Sequence, residues 1–139
     1  FIVIGTAMGM LLRFQCAGLK SMSRTAAGPN AISLKEGDFI VSMDVFQTQK
    51  HSHILLVTEL GYGKRVEESA LRTSKRGGHG SVGTKFKPDW ADRLASVCCC
   101  SADDEAMIIT RNGVVVRQAV AKISEQGRMA TGVLVQNIE

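Results

Sequence analysis

Aromatic side chains make up 5% of the 139 residues, with one Trp and one Tyr among them. That scarcity works against a platform that stacks unpaired bases. Two prolines and no low-complexity tract exclude a long disordered tail. No run approaches the roughly 18 apolar residues of a membrane helix, and no signal-peptide pattern is present. Catalytic patterns are missing as well: there is no Ser-His-Asp spacing, no GxxxxGK[ST] loop and no paired carboxylates at repeated strand ends. His51 and His53 form an H-x-H pair on a polar linker without further ligands, so no metal site is expected there. Cys98, Cys99 and Cys100 stand in a row with Cys16 apart, which suits neither a disulfide framework nor spaced zinc ligands. They read as reduced, structural thiols in a reducing compartment. The start at Phe1, inside an apolar run and without Met, reads as part of something longer.

What is present is a mild basic excess, +4 with a pI near 9.0, which permits contact with nucleic acid without demanding it. The charge is not evenly spread. Residues 61–87 carry seven Lys/Arg against two Glu, whereas residues 88–105 carry five Asp/Glu against Arg93. One basic and one acidic stretch fit an oriented surface better than general solubility. Within the basic stretch lies SKRGGHG, residues 74–80: two cations, then glycines that make poor helix or strand interior. Its plain reading is a solvated turn. Its functional reading is a loop pressing backbone amides and cations against something anionic.

An internal repeat decides the architecture. Thr6, Thr58 and Thr110 are spaced by 52, and so are Gly9, Gly61 and Gly113, and Arg13, Arg65 and Arg117. The same interval links Arg24, Arg76 and Arg128, and then Gly28, Gly80 and Gly132. A period near 50 marks propellers and related arrays. Each unit is β in pattern. FIVI, ILLV and MIIT are each followed, past the repeated Gly, by a second run in MLLRF, GKRV and VVVRQ, a hairpin signature with Gly at the positive-φ position. Third segments follow at 30–35 (NAISLK), 81–86 and 133–138, and fourth ones at 39–46 and 93–100; the third copy stops before its fourth strand. Four short strands per unit make one blade. The fold expected is therefore all-β, a propeller-like array of nearly three four-stranded blades, divided at 1–50, 51–103 and 104–139. SADDEA (101–106) and QTQKHSH (47–53) read as linkers between units. Between second and third strands, Leu19, Leu71 and Ile123 recur as one apolar residue in a short connection, expected to be a single helical turn whose side chain plugs the blade edge.

Phe1, Phe39, Phe46 and Phe86 fall in β runs and are core candidates; Trp90 follows a Pro–Asp turn as a packing anchor. Gly28, Gly77, Gly78, Gly80 and Gly132 read as turn residues beside Gly9, Gly61 and Gly113. A turn needs no guanidinium, so the repeated arginines ask for more. Arg13, Arg65 and Arg117 sit beside strands, where each could pair with a carboxylate at a blade edge. Arg24, Arg76 and Arg128 lie in Gly-adjacent loops that an array would align along one rim, and a rim of recurring cations matches recurring phosphates. Tyr62, inside the GYG turn, is a packing residue or a phosphate hydrogen-bond donor and not a nucleophile.

GYGKRV (61–66), RTSKRGGHG (72–80), EAMIITRNGVVVR (105–117) and ISEQGRMATGV (123–133) resemble the C-terminal domain of the A subunit of bacterial-type DNA gyrase, and residues 9–38 resemble its preceding blade. The likeness spans essentially the whole chain. It implies a β-pinwheel in which neighbouring blades exchange a strand and duplex DNA wraps the basic perimeter, supporting ATP-dependent negative supercoiling by the holoenzyme. The partners implied are duplex DNA, the gyrase B subunit, and the remainder of the A subunit; no membrane, no cofactor and no catalysis by this chain are implied. The resemblance implies as compartment the nucleoid if the source is bacterial, or a chloroplast or mitochondrion if it is organellar. The family's loop Gln-Arg-Arg-Gly-Gly-Lys-Gly is matched here by residues 74–80, identical at Arg76, Gly77, Gly78 and Gly80, charge-conserving at Lys75 and divergent at Ser74 and His79. On this basis Lys64, Arg65, Arg72, Lys75, Arg76, His79, Arg24 and Arg128 are the candidate DNA contacts. Two other readings stay open: the C-terminal domain of the related topoisomerase IV, or a propeller that binds protein. The unpaired strand edges of a partial array also leave self-association open.

Overall fold

The structure, a computed structural model, describes residues 1–138. Ten strands and three single 3-10 turns account for its regular structure. Strands β1 (Ile2–Thr6) and β2 (Met10–Phe14), β4 (His53–Thr58) and β5 (Tyr62–Glu67), and β8 (Glu105–Ile109) and β9 (Val115–Ala119) form three antiparallel hairpins. The fourth segments become β3 (Ile40–Val45) and β7 (Leu94–Cys100), which pair with β1 and β4.

The hairpin loops show why Thr and Gly recur together. In each, the Gly amide donates to the Thr carbonyl three residues back, at 3.0, 3.1 and 3.0 Å. The Thr hydroxyl then accepts the amide four residues ahead, from Met10, Tyr62 or Val114. The geometry closes only with a left-handed residue in the loop, and Gly9, Gly61 and Gly113 have φ of 86°, 89° and 85°.

The third segments do not stay with their own unit. β6 (Ser81–Val82) pairs with β2 of the first unit, and β10 (Val133–Leu134) pairs with β5 of the second. The sheets therefore run β3-β1-β2-β6 and β10-β5-β4-β7, each closed by a strand from the next unit, with β8-β9 as a two-stranded sheet. This is the strand exchange of a β-pinwheel. These strands are shorter than the six-residue segments expected, and NAISLK forms no strand among the described residues. Its place in the pattern pairs with the second strand of a preceding unit; here Ile32 instead packs with Ile4, Leu12 and Phe14.

Two of the three connections behave as expected of plugs, while Leu19 is exposed. Single 3-10 turns at Cys16–Gly18, Glu68–Ala70 and Val120–Lys122 recur at the repeat interval. Leu71 enters the core made by Val3, Leu11 and Ile54, and Ile123 packs with Leu55, Cys100 and Val120. Each buried side chain is worth about 1.5–3 kcal/mol of apolar burial. The sheets also press closely: a methyl on Gly5 would stand 2.3 Å from Val97. Between β7 and β8 lies a largely apolar cavity of about 850 Å³.

Some expectations fail for local reasons. Phe46 is buried and Phe1 and Phe86 are half-buried, but Phe39 is exposed just before β3, with the Arg93 guanidinium 5.9 Å from its ring centre. Glu105 and Ala106 belong to β8, and His53 is buried in β4, so both linkers are shorter than read. Gly28, Gly77, Gly80 and Gly132 have positive φ, whereas Gly78 does not. Gly28 and Gly80 occupy one repeat position in different surroundings. A Cβ on Gly80 would lie 2.5 Å from the Leu11 carbonyl oxygen, and one on Gly28 would meet nothing within 4 Å. Gly80→Ala is therefore expected to cost several kcal/mol in urea unfolding and Gly28→Ala about 1 kcal/mol, the backbone strain alone. Equal costs would contradict the packing described.

Candidate nucleic-acid interface

Two groups of cations stand out in this chain. The first is spent on main-chain carbonyls of a neighbouring unit. Arg13 is buried in β2; its Nη1 donates to the carbonyls of Glu68 and Leu71 at 3.3 and 3.2 Å, and its Nη2 pairs with the Glu68 carboxylate. Its Nε has no hydrogen-bond partner among the described residues, while Phe1 stacks 4.2 Å from the guanidinium carbon. Arg65 repeats the grip: Nε donates to the Ile123 carbonyl at 2.8 Å. The carboxylate pairing expected of this position holds for Arg13 with Glu68 and Arg117 with Glu105. At Arg65 a histidine intervenes. His53, at the repeat position of Phe1, has Nε2 at 2.5 Å from Glu125 and 3.2 Å from Arg65 Nη1, and Nδ1 at 2.7 Å from Ser52 Oγ. The hydrogen bond from His53 holds the Glu125 carboxyl below its usual range.

Lys64 departs furthest from expectation. Its relative exposure is 0%, so it is withdrawn from any DNA face. Nζ donates to the carbonyls of Gly127, Arg128 and Ala130 at 2.7, 3.0 and 2.7 Å, an ammonium wrapped by the loop of the third unit. Burial, and secondarily the Arg128 charge, pull its pKa from 10.5 down to about 8. The repeat held the signal that sequence reasoning missed: Leu12, a core residue, occupies the same position in the first unit.

SKRGGHG is bolted to the first unit. Gly77 N donates to the Ala31 carbonyl at 2.8 Å, Ser33 N to the Gly78 carbonyl at 2.9 Å, and Ser74 N to the Arg13 carbonyl at 2.7 Å. His79 Nδ1 lies 3.2 Å from the Ser33 carbonyl oxygen. The glycines thus allow close approach to neighbouring protein backbone, with Gly77 N already used, which corrects the expectation that they bring amides to an anion. Arg76 Nη1 donates to the Asn30 carbonyl at 2.6 Å, and Arg128 Nη1 to the Val82 carbonyl at 2.8 Å, the same bond one repeat on.

The second group of cations stays available. Lys75, Arg72 and Arg24 are exposed, and their side chains have no hydrogen-bond or ion-pair partner among the described residues. Arg76 is exposed and Arg128 half-buried, each with one nitrogen engaged. Lys75 and Arg76 flank a shallow groove of about 460 Å³ whose other wall is Phe14–Leu19. The structure thus brings Arg72, Lys75, Arg76 and His79 together on one loop and sets Arg24 and Arg128 at the matching places of the other units.

Chemistry elsewhere is absorbed by structure. Tyr62 is buried, edge-on to Trp90 with ring centres 5.7 Å apart, and its hydroxyl accepts from Lys87 Nζ at 3.0 Å. Burial, with the Asp44 carboxylate adding, pushes the Cys99 thiol up to about 12, and burial pushes Cys100 to about 11. Asp104 accepts the Ser101 amide at 2.8 Å as a turn cap. Among the described residues no group of three His, Cys, Asp or Glu could hold a metal ion, and no helix is long and apolar enough to cross a membrane.

The family model of the DNA gyrase C-terminal domain, a beta-propeller, matches residues 1–47, 52–101 and 104–139. The chain belongs to the DNA gyrase C-terminal domain family. It is 40% identical to the A subunit of DNA gyrase from Staphylococcus epidermidis over 132 residues, 95% of this chain and 15% of that protein, and 39% identical to its Staphylococcus aureus counterpart over the same length. The chain thus spans about 15% of the length of these relatives. A solved DNA gyrase A C-terminal domain superposes with a TM-score of 0.92 at 28% identity, over 99% of this chain and 46% of that one. The C-terminal domain of DNA topoisomerase IV superposes at 0.91 with 22% identity, over 98% and 42%, a likeness of fold.

The Lys64 pocket predicts a pH dependence. Below about 8 both folded and unfolded chains hold the proton, and the burial cost is fully present. Between about 8 and 10.5 the unfolded chain still holds it and the folded chain releases it, so stability rises with pH. The slope from this group is at most about 1.4 kcal/mol per pH unit. Chemical denaturation of the parent and Lys64→Met across this window should show the slope difference; parallel curves would contradict the burial.

Proposed function

We propose that this chain is a duplex-DNA-binding, wrapping segment of a gyrase A subunit, supplying phosphate contacts and no catalytic group. The observation that carries the reading is the set of exposed, partnerless cations, Arg24, Arg72 and Lys75, in the loops that recur from unit to unit. Arg76, His79 and Arg128 join them with the part of each side chain not engaged by the neighbouring unit. Repeated loops give repeated phosphate contacts without base readout, as wrapping requires. In this reading the chain works within the holoenzyme, beside the B subunit and the remainder of its own subunit, and where chromosomal or organellar DNA is found. It needs no cofactor of its own, and the ATP-driven strand passage belongs to other parts of the assembly. The identity to gyrase A subunits over nearly the whole chain favours this over a topoisomerase IV subunit.

Lys75 and Arg76 separate binding from folding. Lys75→Ala should lower the slope of log affinity against log salt by about 0.9, the value of one lost phosphate contact, for any duplex sequence, without shifting the urea midpoint. Arg76→Ala should lower the slope similarly and also destabilise the fold by about 1 kcal/mol through the lost Asn30 bond. Anisotropy titrations of labelled duplex across ionic strength read the first effect and denaturation the second. A folded chain that binds no duplex at low salt, or binds it without salt dependence, would favour the protein-binding alternative.

A further inference from the structure

The loops that carry Arg76 and Arg128 occupy one repeat position, yet they are held in different ways. In the second unit Gly77 takes a φ of 84°, and its amide donates to the Ala31 carbonyl at 2.8 Å. The Ser33 amide donates to the Gly78 carbonyl at 2.9 Å and the Ser33 hydroxyl to the Gly77 carbonyl at 2.7 Å. Beneath this loop the filling is hydrocarbon: a Cβ on Gly78 would lie 3.8 Å from Leu12 Cδ1. In the third unit the counterpart of Gly77 is Met129, which does not take the left-handed conformation. Among the described residues its amide makes no bond to Gly83, the counterpart of Ala31. The bond from Lys85 N to the Ala130 carbonyl, which matches the Ser33–Gly78 bond, is 3.4 Å long.

Lys64 makes up the deficit. It stands where Leu12 stands one repeat earlier, and its ammonium closes on the carbonyls of Gly127, Arg128 and Ala130 at 2.7, 3.0 and 2.7 Å. One buried side chain thus fixes the main chain on and around Arg128. Arg128 gives Nη1 to the Val82 carbonyl and keeps its other nitrogens for contacts outside. Arg76, at the same position in a unit with a neighbour on each side, is exposed. The outward setting of this loop is therefore a property of the repeat.

We propose that Lys64 is a positioning residue for duplex binding: it holds the 127–130 loop so that Arg128 meets a backbone phosphate, and the phosphate in turn tightens the hold on the Lys64 proton. The inference rests on the phosphate-contact reading of Arg128 given above. On β5 Lys64 shares a face with Tyr62 and Val66, and Leu56 lies opposite on β4; Arg65, Glu67 and His53 belong to the other face. Lys85, on the connection after β6, is exposed. Arg128 is the charged group that acts on the ammonium. Burial first, and Arg128 second, hold the Lys64 pKa at about 8. A phosphate on Arg128 offsets that positive charge, so the bound chain keeps the proton to higher pH. Below about 8 both free and bound chains carry the proton, and affinity does not depend on it. Above about 8 the free chain releases it and binding takes it up again, so affinity falls as pH rises, by at most about tenfold per pH unit for one proton.

The test compares the intact A subunit that carries this segment, as parent, Lys64→Leu, Arg128→Ala and the double variant. Each is titrated with labelled duplex across ionic strength at about pH 7.5 and about pH 9, on either side of the Lys64 pKa. Arg128→Ala should lower the slope of log affinity against log salt by about 0.9, and Lys64→Leu by up to about the same amount. The double variant should lose no more than Arg128→Ala alone, because both changes remove one contact. The parent should lose affinity between the two pH values by a margin that all three variants lack. Lys64→Leu combined with Met129→Gly rebuilds the Leu12–Gly77 arrangement; it should regain the salt slope and still lack the pH margin, a split that a purely structural role of Lys64 does not produce. A Lys64→Leu subunit with the parent's slope and pH margin, beside an Arg128→Ala subunit that has lost both, overturns this inference and leaves the phosphate reading standing. An Arg128→Ala subunit that matches the parent in both removes the phosphate reading and the inference together. Circular dichroism checks folding. Should Lys64→Leu unfold, the parent and Arg128→Ala decide the matter: equal pH margins in these two overturn the proposal.

Discussion

The array depends on cations that reach across from one unit and close on main-chain carbonyls of the next. A blade of two or three strands leaves an edge and a connection whose carbonyls would otherwise be buried without partners. Arg13, Arg65 and Lys64 supply donors to those carbonyls, and Arg76 and Arg128 supply them in the opposite direction. The short exchanged strands, two residues each, carry too few ladder bonds to hold the units together. The side-chain grips and the apolar plugs beneath them complete the junction. Charge that looks like surface charge in the sequence is to a large extent internal scaffolding.

This division explains why the basic stretch of the second unit is not uniformly a binding surface. Lys64 and Arg65 stand on a strand that the third unit covers, whereas Arg72 and Lys75 stand on the loop that passes outside it. The two junctions solve one problem differently: Leu12 fills its site with hydrocarbon, and Lys64 fills the same site with an ammonium satisfied three times over. A buried charge that fits one loop and not another fixes which unit sits on which, a registry role known for buried polar groups.

The sequence showed the repeat, the hairpins and the left-handed glycines, because each depends on residues close along the chain. Thr58, Gly61 and Arg65 could be placed from spacing. It did not show which unit each third strand joins, since a fixed period is the same whether Ser81 pairs at home or with Met10 and Leu11 of the unit before; the exchange came from the family resemblance. It also misplaced Lys64 and His53, whose residue types speak for solvent. Their counterparts Leu12 and Phe1 speak for the interior, so comparing the units position by position corrects both. SKRGGHG was legible as a loop but not in its contacts: the Gly77 amide donates to the Ala31 carbonyl and the Gly78 carbonyl accepts from the Ser33 amide, each more than forty residues away.

Lysine footprinting tests the division of charge most directly. The folded chain is exposed briefly to an amine-reactive reagent, with and without saturating duplex DNA, and the labelled sites are read by mass spectrometry. The account predicts that Lys64 stays unlabelled in both conditions while Lys75 labels readily in the free chain and is protected by DNA. Labelling of Lys64 in the folded chain at the rate of Lys75, or a Lys75 rate indifferent to bound duplex, would contradict it.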